Sequence, residues 1–480
     1  MLILADNLGS VTDQATGTRW QGEKIASEAR ERCLALSEGG IGPGDTVALW
    51  QGGSGAFFAD LLAAWSAGAA VAVLNPGLTA DEVDAVIGHV RAKLVLVDGD
   101  LDRARAMSSI PVVDFGASVG PDPAPRTDRR ATLDDPALML FTSGTTGTPK
   151  GVVHTFRSLV ARLALNETFI GRDDFRRTLC TLPTHFGHGL IGNSLTPLLH
   201  GGDVTLIAGS DARAVMQLGA VIDEHAITFM SSVPALWKMA LKMSKPPSGG
   251  SLRRVHVGSA PLSADLWSKI IEWCGTRNVV NMYGITETAN WIGGASAAAF
   301  EPQDGLVGRM WGGQAGVLKD DGSIAAEGDG EIVVQAPSLM AGYFELDDLT
   351  AAVLKDGWFH TGDIGHVEGG VVRLTGREKY EINRAGMKVH PEDIDLLLER
   401  HDGVVEACAF GAPDPIVGEM VCVAVVIDQG HAIDDIKSWC RERLVREKNP
   451  EKWFVLDAIP KTDRGKINRN VVAEACFASD

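Results

Sequence analysis

Residues 138–155 read LMLFTSGTTGTPKGVVHT, and the reading of the whole chain turns on them. The apolar run 138–141 has the length and composition of a buried strand. Ten residues follow, drawn from Thr, Ser, Gly, Pro and Lys: Thr142, Ser143, Gly144, Thr145, Thr146, then Gly147 to Gly151 with Lys150 among them. A second apolar step comes at Val152 and Val153. Such a loop offers many hydroxyl donors, unobstructed backbone N–H groups and one cation, which suits a polyphosphate. A flexible Ser/Thr/Gly turn is the plain alternative on these residues alone. A Walker loop is excluded by spacing, because Pro149 precedes Lys150 and Gly151 follows it.

A chain of 480 residues is too long for one core, so two or three domains are expected. It is 45% hydrophobic and 22% charged, an ordinary globular composition. With 62 acidic and 44 basic residues its formal charge is −18, which argues against nucleic acid and anionic membranes as partners. Anionic small ligands would need locally concentrated cations. The seven cysteines are scattered without a CxxC pair, so a disulfide framework or zinc site is not expected and a reducing cytoplasm is. The first ten residues, MLILADNLGS, lack the basic segment and apolar core of a signal peptide. The most apolar stretch, residues 57–74, is interrupted by Asp60 and Gly68 and reads as a buried helix and strand, with no membrane span.

Around the phosphate stretch the pattern alternates. Residues 46–50, 71–74 and 93–97 read as strands, residues 56–67 as a helix, and Thr79 with Glu82 as the capping box of another. Alternation of this kind implies a mainly parallel sheet covered by helices. A second run covers roughly residues 178–282, with candidate strands at 205–207, 227–230 and 255–257. From about residue 305 short segments broken by Gly and Asp suit a small β-rich subdomain. Beyond about residue 378 a compact region with its own alternation ends in a polar, basic tail. The expected fold is therefore α/β: a large N-terminal domain, 1–378, of two helix-covered, mostly parallel sheets plus a β-rich subdomain, and a small α+β C-terminal domain, 379–480.

Three more stretches carry chemistry. Asn281-Met282-Tyr283-Gly284-Ile285-Thr286-Glu287 follows a strand-like Val279-Val280, at the strand end where open α/β sheets bind ligands. Gly357-Trp358-Phe359-His360-Thr361-Gly362-Asp363 places a carboxylate that can accept from vicinal hydroxyls. Near the C-terminus Pro460-Lys461-Thr462-Asp463-Arg464-Gly465-Lys466-Ile467 places a cation in the tail. Taken singly, Glu287 reads as a surface acid, Asp363 as a turn residue and Lys466 as a solvated lysine. Taken together they resemble the adenylate-forming superfamily of acyl-CoA synthetases, peptide-synthetase adenylation domains and beetle luciferases. TSGTTGTPKG resembles its phosphate loop, YGxTE its second signature, TGD its third and PxTxxGKI its terminal one. The four occur in order over about 330 residues, and VALW at 47–50, VGR at 307–309, GEI at 330–332 and VHPEDI at 389–394 agree.

What the resemblance implies is specific. Thr142, Ser143, Gly144, Thr145, Thr146, Lys150 and Thr286 would hold the phosphates of ATP, and Glu287 would carry Mg²⁺, a hard cation suited to carboxylate and phosphate oxygens. Ser259, Ala260, Pro261, Asn281, Met282 and Tyr283 would pack on adenine. Asp363 and Arg377 would grip ribose, and Lys466 would be catalytic, its ammonium stabilising charge as a carboxylate meets phosphorus. In the family the C-terminal domain then swings about a hinge, here Lys379, and brings Ala385-Gly386 to line the thiol's path. Members often have Gly-Gly there, so Ala385 departs from the pattern.

The acyl pocket would draw on His185, Phe186, Gly284 and Trp291. The segment 183–189, PTHFGHG, lacks the Asp that holds an amino acid's ammonium, which disfavours an α-amino acid. Phe186 and Trp291 would form an apolar, shortened floor unless they are plain core. The run 186–193 faintly resembles benzoate ligases, so the expected substrate is an aromatic or short-to-medium-chain carboxylic acid and the expected acceptor coenzyme A. Transfer to the phosphopantetheine of an acyl carrier protein, or to an amine, is the alternative. A non-catalytic nucleotide-binding homologue is the remote one. No residue recommends luciferase-like oxidation.

Overall fold

Local sequence explains the elements nearest the phosphate stretch. Ser54 caps the helix Gly55–Ala67 by accepting from the Phe57 N–H, and Gly68, at φ 87°, ends it in the left-handed conformation that glycine adopts without strain. Residues 55–65 are buried throughout. This 13-residue helix gives way at once to the strand Ala70–Val73, so the apolar run 57–74 is apolar because protein covers it on every side. Among the described residues no helix is long and apolar enough to cross a membrane. The helix Ala80–His89 opens with the expected box, Thr79 and Glu82 each satisfying the other's backbone.

The computed structural model describes residues 7–99, 101–106, 108–118, 120–125, 129–142, 150–207, 212–384, 387–414, 417–445, 448–462 and 466–478. Its first sheet has seven strands in the order Gly342–Tyr343, Lys150–Thr155, Pro136–Thr142, Ala70–Val73, Thr46–Leu49, Ala92–Leu96, Val112–Val113. The last five run parallel, a pairing that requires a crossover between neighbours. The strands flanking the phosphate stretch pair antiparallel, with Thr142 opposite Lys150.

The second sheet, of fifteen strands, changes character halfway. Strands Val11–Asp13, Asp203–Leu206, Arg177–Cys180, Phe229–Ser232, Arg254–Val257 and Val279–Ile285 are parallel neighbours. From Asn290–Ser296 onward the pairing is antiparallel. The β-rich part expected beyond residue 305 is thus hydrogen-bonded onto the open edge of the parallel half. Val152 and Tyr343 of the first sheet pack with Ile332, Val334 and Phe359 of the second. At about 1.5–3 kcal/mol per fully buried side chain, that cluster is what fixes the two sheets at their junction.

A third sheet of five strands holds Ile382–Arg384, Met387–Val389, Val404–Asp414, Gly418–Ile427 and Lys452–Val455. The helices Pro391–Leu398 and Ile433–Arg441 contribute to one core on it and the helix Arg469–Ala478 to another. It meets the large body through Lys238–Glu399 at 2.6 Å and an Arg400–Asp304 pair.

Candidate active site

The phosphate stretch is held by its stems. Residues 143–149, and with them Ser143, Gly144, Thr145 and Thr146, lie outside the described residues, as does the thiol-path residue Gly386. Lys150 is the first residue of the returning strand, its Nζ 5.5 Å from the centroid of the Tyr343 ring. The Tyr343 hydroxyl donates to Glu287 Oε1 at 2.9 Å. Burial, with the Glu287 charge beside it, pushes the phenol far above its ordinary range, so it stays a donor and keeps the carboxylate aimed.

The Thr286–Glu287 turn is pinned from three sides. His154 Nε2 meets the Thr286 carbonyl at 2.8 Å, so the ring donates there. His154 is fully buried and its pKa falls to about 4, burial being the cause. The Glu287 carbonyl accepts from Met340 N at 2.8 Å. Ser338 donates to the Thr288 carbonyl at 3.0 Å and accepts from Arg162 Nε and Nη2 at 3.1 and 2.6 Å. Arg162 is wholly buried, and desolvation lowers its pKa to about 9.

Asp363 lies 3% exposed between two donors, Tyr283 hydroxyl to Oδ2 and Arg377 Nε to Oδ1, both at 2.7 Å. The register sets Asp363 opposite Arg377 on adjacent antiparallel strands. The carboxylate draws the Arg377 guanidinium above its ordinary pKa. Each carboxylate oxygen keeps a lone pair to spare, so further hydroxyls can donate to it.

Ser259 takes a left-handed φ of 68°, which turns the Gly258-Ser259-Ala260-Pro261 segment sharply off its strand. Its Oγ meets His188 Nδ1 at 2.7 Å, and His188 Nε2 meets Ser231 Oγ at 2.6 Å. Burial, with the Lys466 charge adding to it, drops the His188 pKa to about 3. Lys466, 180 residues beyond the Thr286 turn in sequence, is exposed, its carbonyl accepting from Thr462 N at 2.8 Å. Asn281 gives its amide to the Leu306 carbonyl at 2.8 Å, and Met282 packs under Gly258. Those two side chains serve the sheet, while Tyr283 turns toward Asp363.

Gly284 has no room for a side chain: a Cβ would stand 2.3 Å from the Asn290 carbonyl. The strand bulges there, and Ala289 and Asn290 adopt φ of 57° and 102°, aiming Trp291 inward to 2% exposure. His185 and Phe186 contact each other at 4.0 Å between ring centroids. Lys379 Nζ stands 4.6 Å over the Tyr380 ring, and Arg469 meets the same ring at 5.7 Å. Arg469 also pairs with Asp395 at 2.7 Å and Glu392 at 3.1 Å, and gives the Ala409 carbonyl a 2.6 Å hydrogen bond. The tail that carries Lys466 is thereby clamped three residues further on.

His154, Tyr343, Arg162 and Arg469 were not singled out in the sequence. His154 had a signal, an imidazole at an inward position of an apolar strand, but its partner lies 132 residues away.

The amino-acid sequence matches the model of the AMP-binding enzyme family over residues 12–344 and that family's C-terminal domain over residues 393–466. The chain belongs to the AMP-binding enzyme family, the adenylate-forming superfamily of the sequence resemblance. It is similar to a sulfoacetate–CoA ligase of Cupriavidus necator, 32% identical over 93% of this chain and 90% of that protein. An oxalate–CoA ligase of Arabidopsis thaliana is 31% identical over 92% and 90%. Among solved structures, ATP-bound MatB from Rhodopseudomonas palustris superposes with a TM-score of 0.86 at 26% identity, covering 98% of this chain and 96% of that one.

Proposed function

We propose that Lys466 and the Asp363–Arg377, Glu287–Tyr343, Lys150 and Ser259–His188 groups form one active site, and that the enzyme is an ATP-dependent, AMP-forming acid–thiol ligase. A carboxylate oxygen attacks the α-phosphorus of ATP, the α–β phosphoanhydride bond breaks, and pyrophosphate leaves with its electron pair. The sulfur of coenzyme A then attacks the acyl carbon of the adenylate, the acyl–oxygen bond breaks, AMP leaves and the thiol proton goes to solvent. The observation that carries this reading is the pair of oriented carboxylates, Glu287 held by Tyr343 and Asp363 held between Tyr283 and Arg377.

In this reading Asp363 and Arg377 hold ribose, Ser259, Ala260 and Pro261 flank adenine, and Lys150 and Thr286 face the phosphates. Lys466 stabilises the charge that develops as two anions meet. Mg²⁺ fits the donor set: Glu287 is a single oriented carboxylate, and among the described residues no group of three or more His, Cys, Asp or Glu is placed to hold a metal. A cation held by one carboxylate plus phosphate oxygens is the magnesium mode, and when bound it neutralises phosphate charge. Residues 379–480 act as a lid that turns about Lys379 between the two half-reactions.

The acid is a small-molecule carboxylate, a reading supported by the names of the two relatives. That it is aromatic or short-to-medium in chain is supported by the buried Trp291 floor. The test is acid-dependent pyrophosphate release followed by thioester formation with free coenzyme A. Thioester on a carrier protein's phosphopantetheine but none on free coenzyme A would reassign the acceptor; no pyrophosphate release with any acid would overturn the reading.

A further inference from the structure

The Arg469 clamp on the tail has a second end, on the large body. Glu392 lies in the first turn of the helix Pro391–Leu398, and its Oε1 meets Arg469 Nη2 at 3.1 Å. Its other oxygen, Oε2, is buried without a hydrogen-bond partner among the described residues. That oxygen lies against Gly376, where a Cβ would stand 3.0 Å from it. His390 Nδ1 shares the place, 2.8 Å from the same point and likewise unpartnered among the described residues. Gly376 is the last residue but one of the strand Val371–Arg377, directly before Arg377, whereas His390 and Glu392 lie beyond Lys379. One carboxylate thus touches both the body and the arginine that clamps the tail.

Both flanks of Lys466 are tied down within the C-terminal region. On one side Lys461 pairs with Glu406 of the strand Val404–Asp414, and Lys461 and Ile467 face each other as a β-bridge. On the other, Arg469 is held by Glu392, Asp395 and the Ala409 carbonyl. Glu392 is the anchor set against the body. Buried polar atoms left unpaired cost free energy, and here that cost lasts only while His390 and Glu392 stay packed on Gly376. The contact therefore acts in two directions. It seats the C-terminal region beside the residue proposed to grip ribose, and it leaves two polar atoms that water would satisfy once the lid turned away.

We infer that Glu392 is a positioning residue for Lys466: seated on Gly376, it holds Arg469, and through it the Lys466 segment, in place for adenylation. The inference rests on the ligase reading above and adds the contact that links the seating of the lid to the lysine.

Glu392→Gln keeps the shape of the side chain and removes its charge, while Asp395 still holds Arg469 at 2.7 Å. It should lower kcat for acid-dependent pyrophosphate release roughly tenfold, with the KM for ATP and thioester formation from a supplied acyl-adenylate little changed. Gly376 takes no left-handed φ, so a side chain there is opposed by contact alone. Gly376→Ala pushes a methyl into the seat and should give the same split between half-reactions from the body's side. Hydrogen–deuterium exchange adds a readout apart from turnover: amides over residues 461–470 should exchange faster in both variants, with the rest of the C-terminal region unchanged. A merely structural role would slow both half-reactions alike and loosen that whole region. Equal loss in the two half-reactions, or exchange over 461–470 as slow as in the wild type, would overturn the inference and leave the ligase reading standing. No pyrophosphate release by the wild-type enzyme with any acid would overturn both.

Discussion

Lys466 tests the chemistry most directly. Lys466→Ala should abolish acid-dependent pyrophosphate release while a supplied acyl-adenylate is still converted to thioester at near the original rate; equal loss in both steps would refute the role. Tyr343→Phe removes the donor that aims Glu287 and should lower kcat by roughly tenfold with ATP binding little changed, read from pyrophosphate release at saturating magnesium. At this scale the sequence points to the candidate residues that sit in contiguous signatures: Glu287, Asp363, Arg377 and Lys466 each stand out within a few neighbours. It was silent on the residues that hold them. Tyr343 reaches Glu287 across 56 positions, and Arg162 reaches Ser338 across 176, separations at which no local pattern names the partner. His256, too, reads as one more apolar-strand residue, although Arg254 Nε donates to its Nε2 at 2.9 Å.

Among the elements, two connections carry predictions. Lys379 lies in the turn Glu378–Tyr380, directly after the strand Val371–Arg377. Lys379→Pro should freeze the lid, sparing pyrophosphate release and blocking thioester formation from supplied adenylate; normal overall turnover would show that no swing is needed. The second connection joins the strand Lys150–Thr155 to the Thr286 turn through His154. Its folded pKa, about 4, lies below the 6.5 of an unstrained imidazole. The unfolded chain therefore binds more protons between those values, and stability is fully present above about pH 6.5 and lost as pH falls toward 4. The loss from this one residue is about 3 kcal/mol. His154→Gln, which keeps a donor for Thr286, should flatten that part of the denaturation profile; an unchanged slope would assign the acid sensitivity elsewhere. Element types around residues 46–97 followed from capping and periodicity. The joining of the strands beyond residue 305 to the parallel sheet did not, because edge pairing is decided by which edge is left open, and that is a property of the assembled sheet.

For the molecule as a whole, two ion pairs partly open to water, Lys238–Glu399 and Arg400–Asp304, bridge the C-terminal region, the lid of the proposed reading, and the large body. Such pairs are each worth about 0–1 kcal/mol. The double variant Glu399→Gln with Asp304→Asn should shift the lid away from the Lys466-in position and slow adenylation roughly two- to fivefold, with thioester formation from adenylate unaffected or faster. Elevated salt should mimic the variant in the wild-type enzyme and add nothing to the variant. A variant as fast as wild type in both steps would mean that packing alone sets the lid.

Arg377 and Lys379 are separated by a single residue, so on the proposed roles the grip on the sugar and the pivot of the lid would share one stretch of backbone. Release of the nucleotide and resetting of the pivot would then be mechanically one event. An AMP that lingers should hold the lid at the end of its stroke, making product escape the natural pacemaker of the cycle.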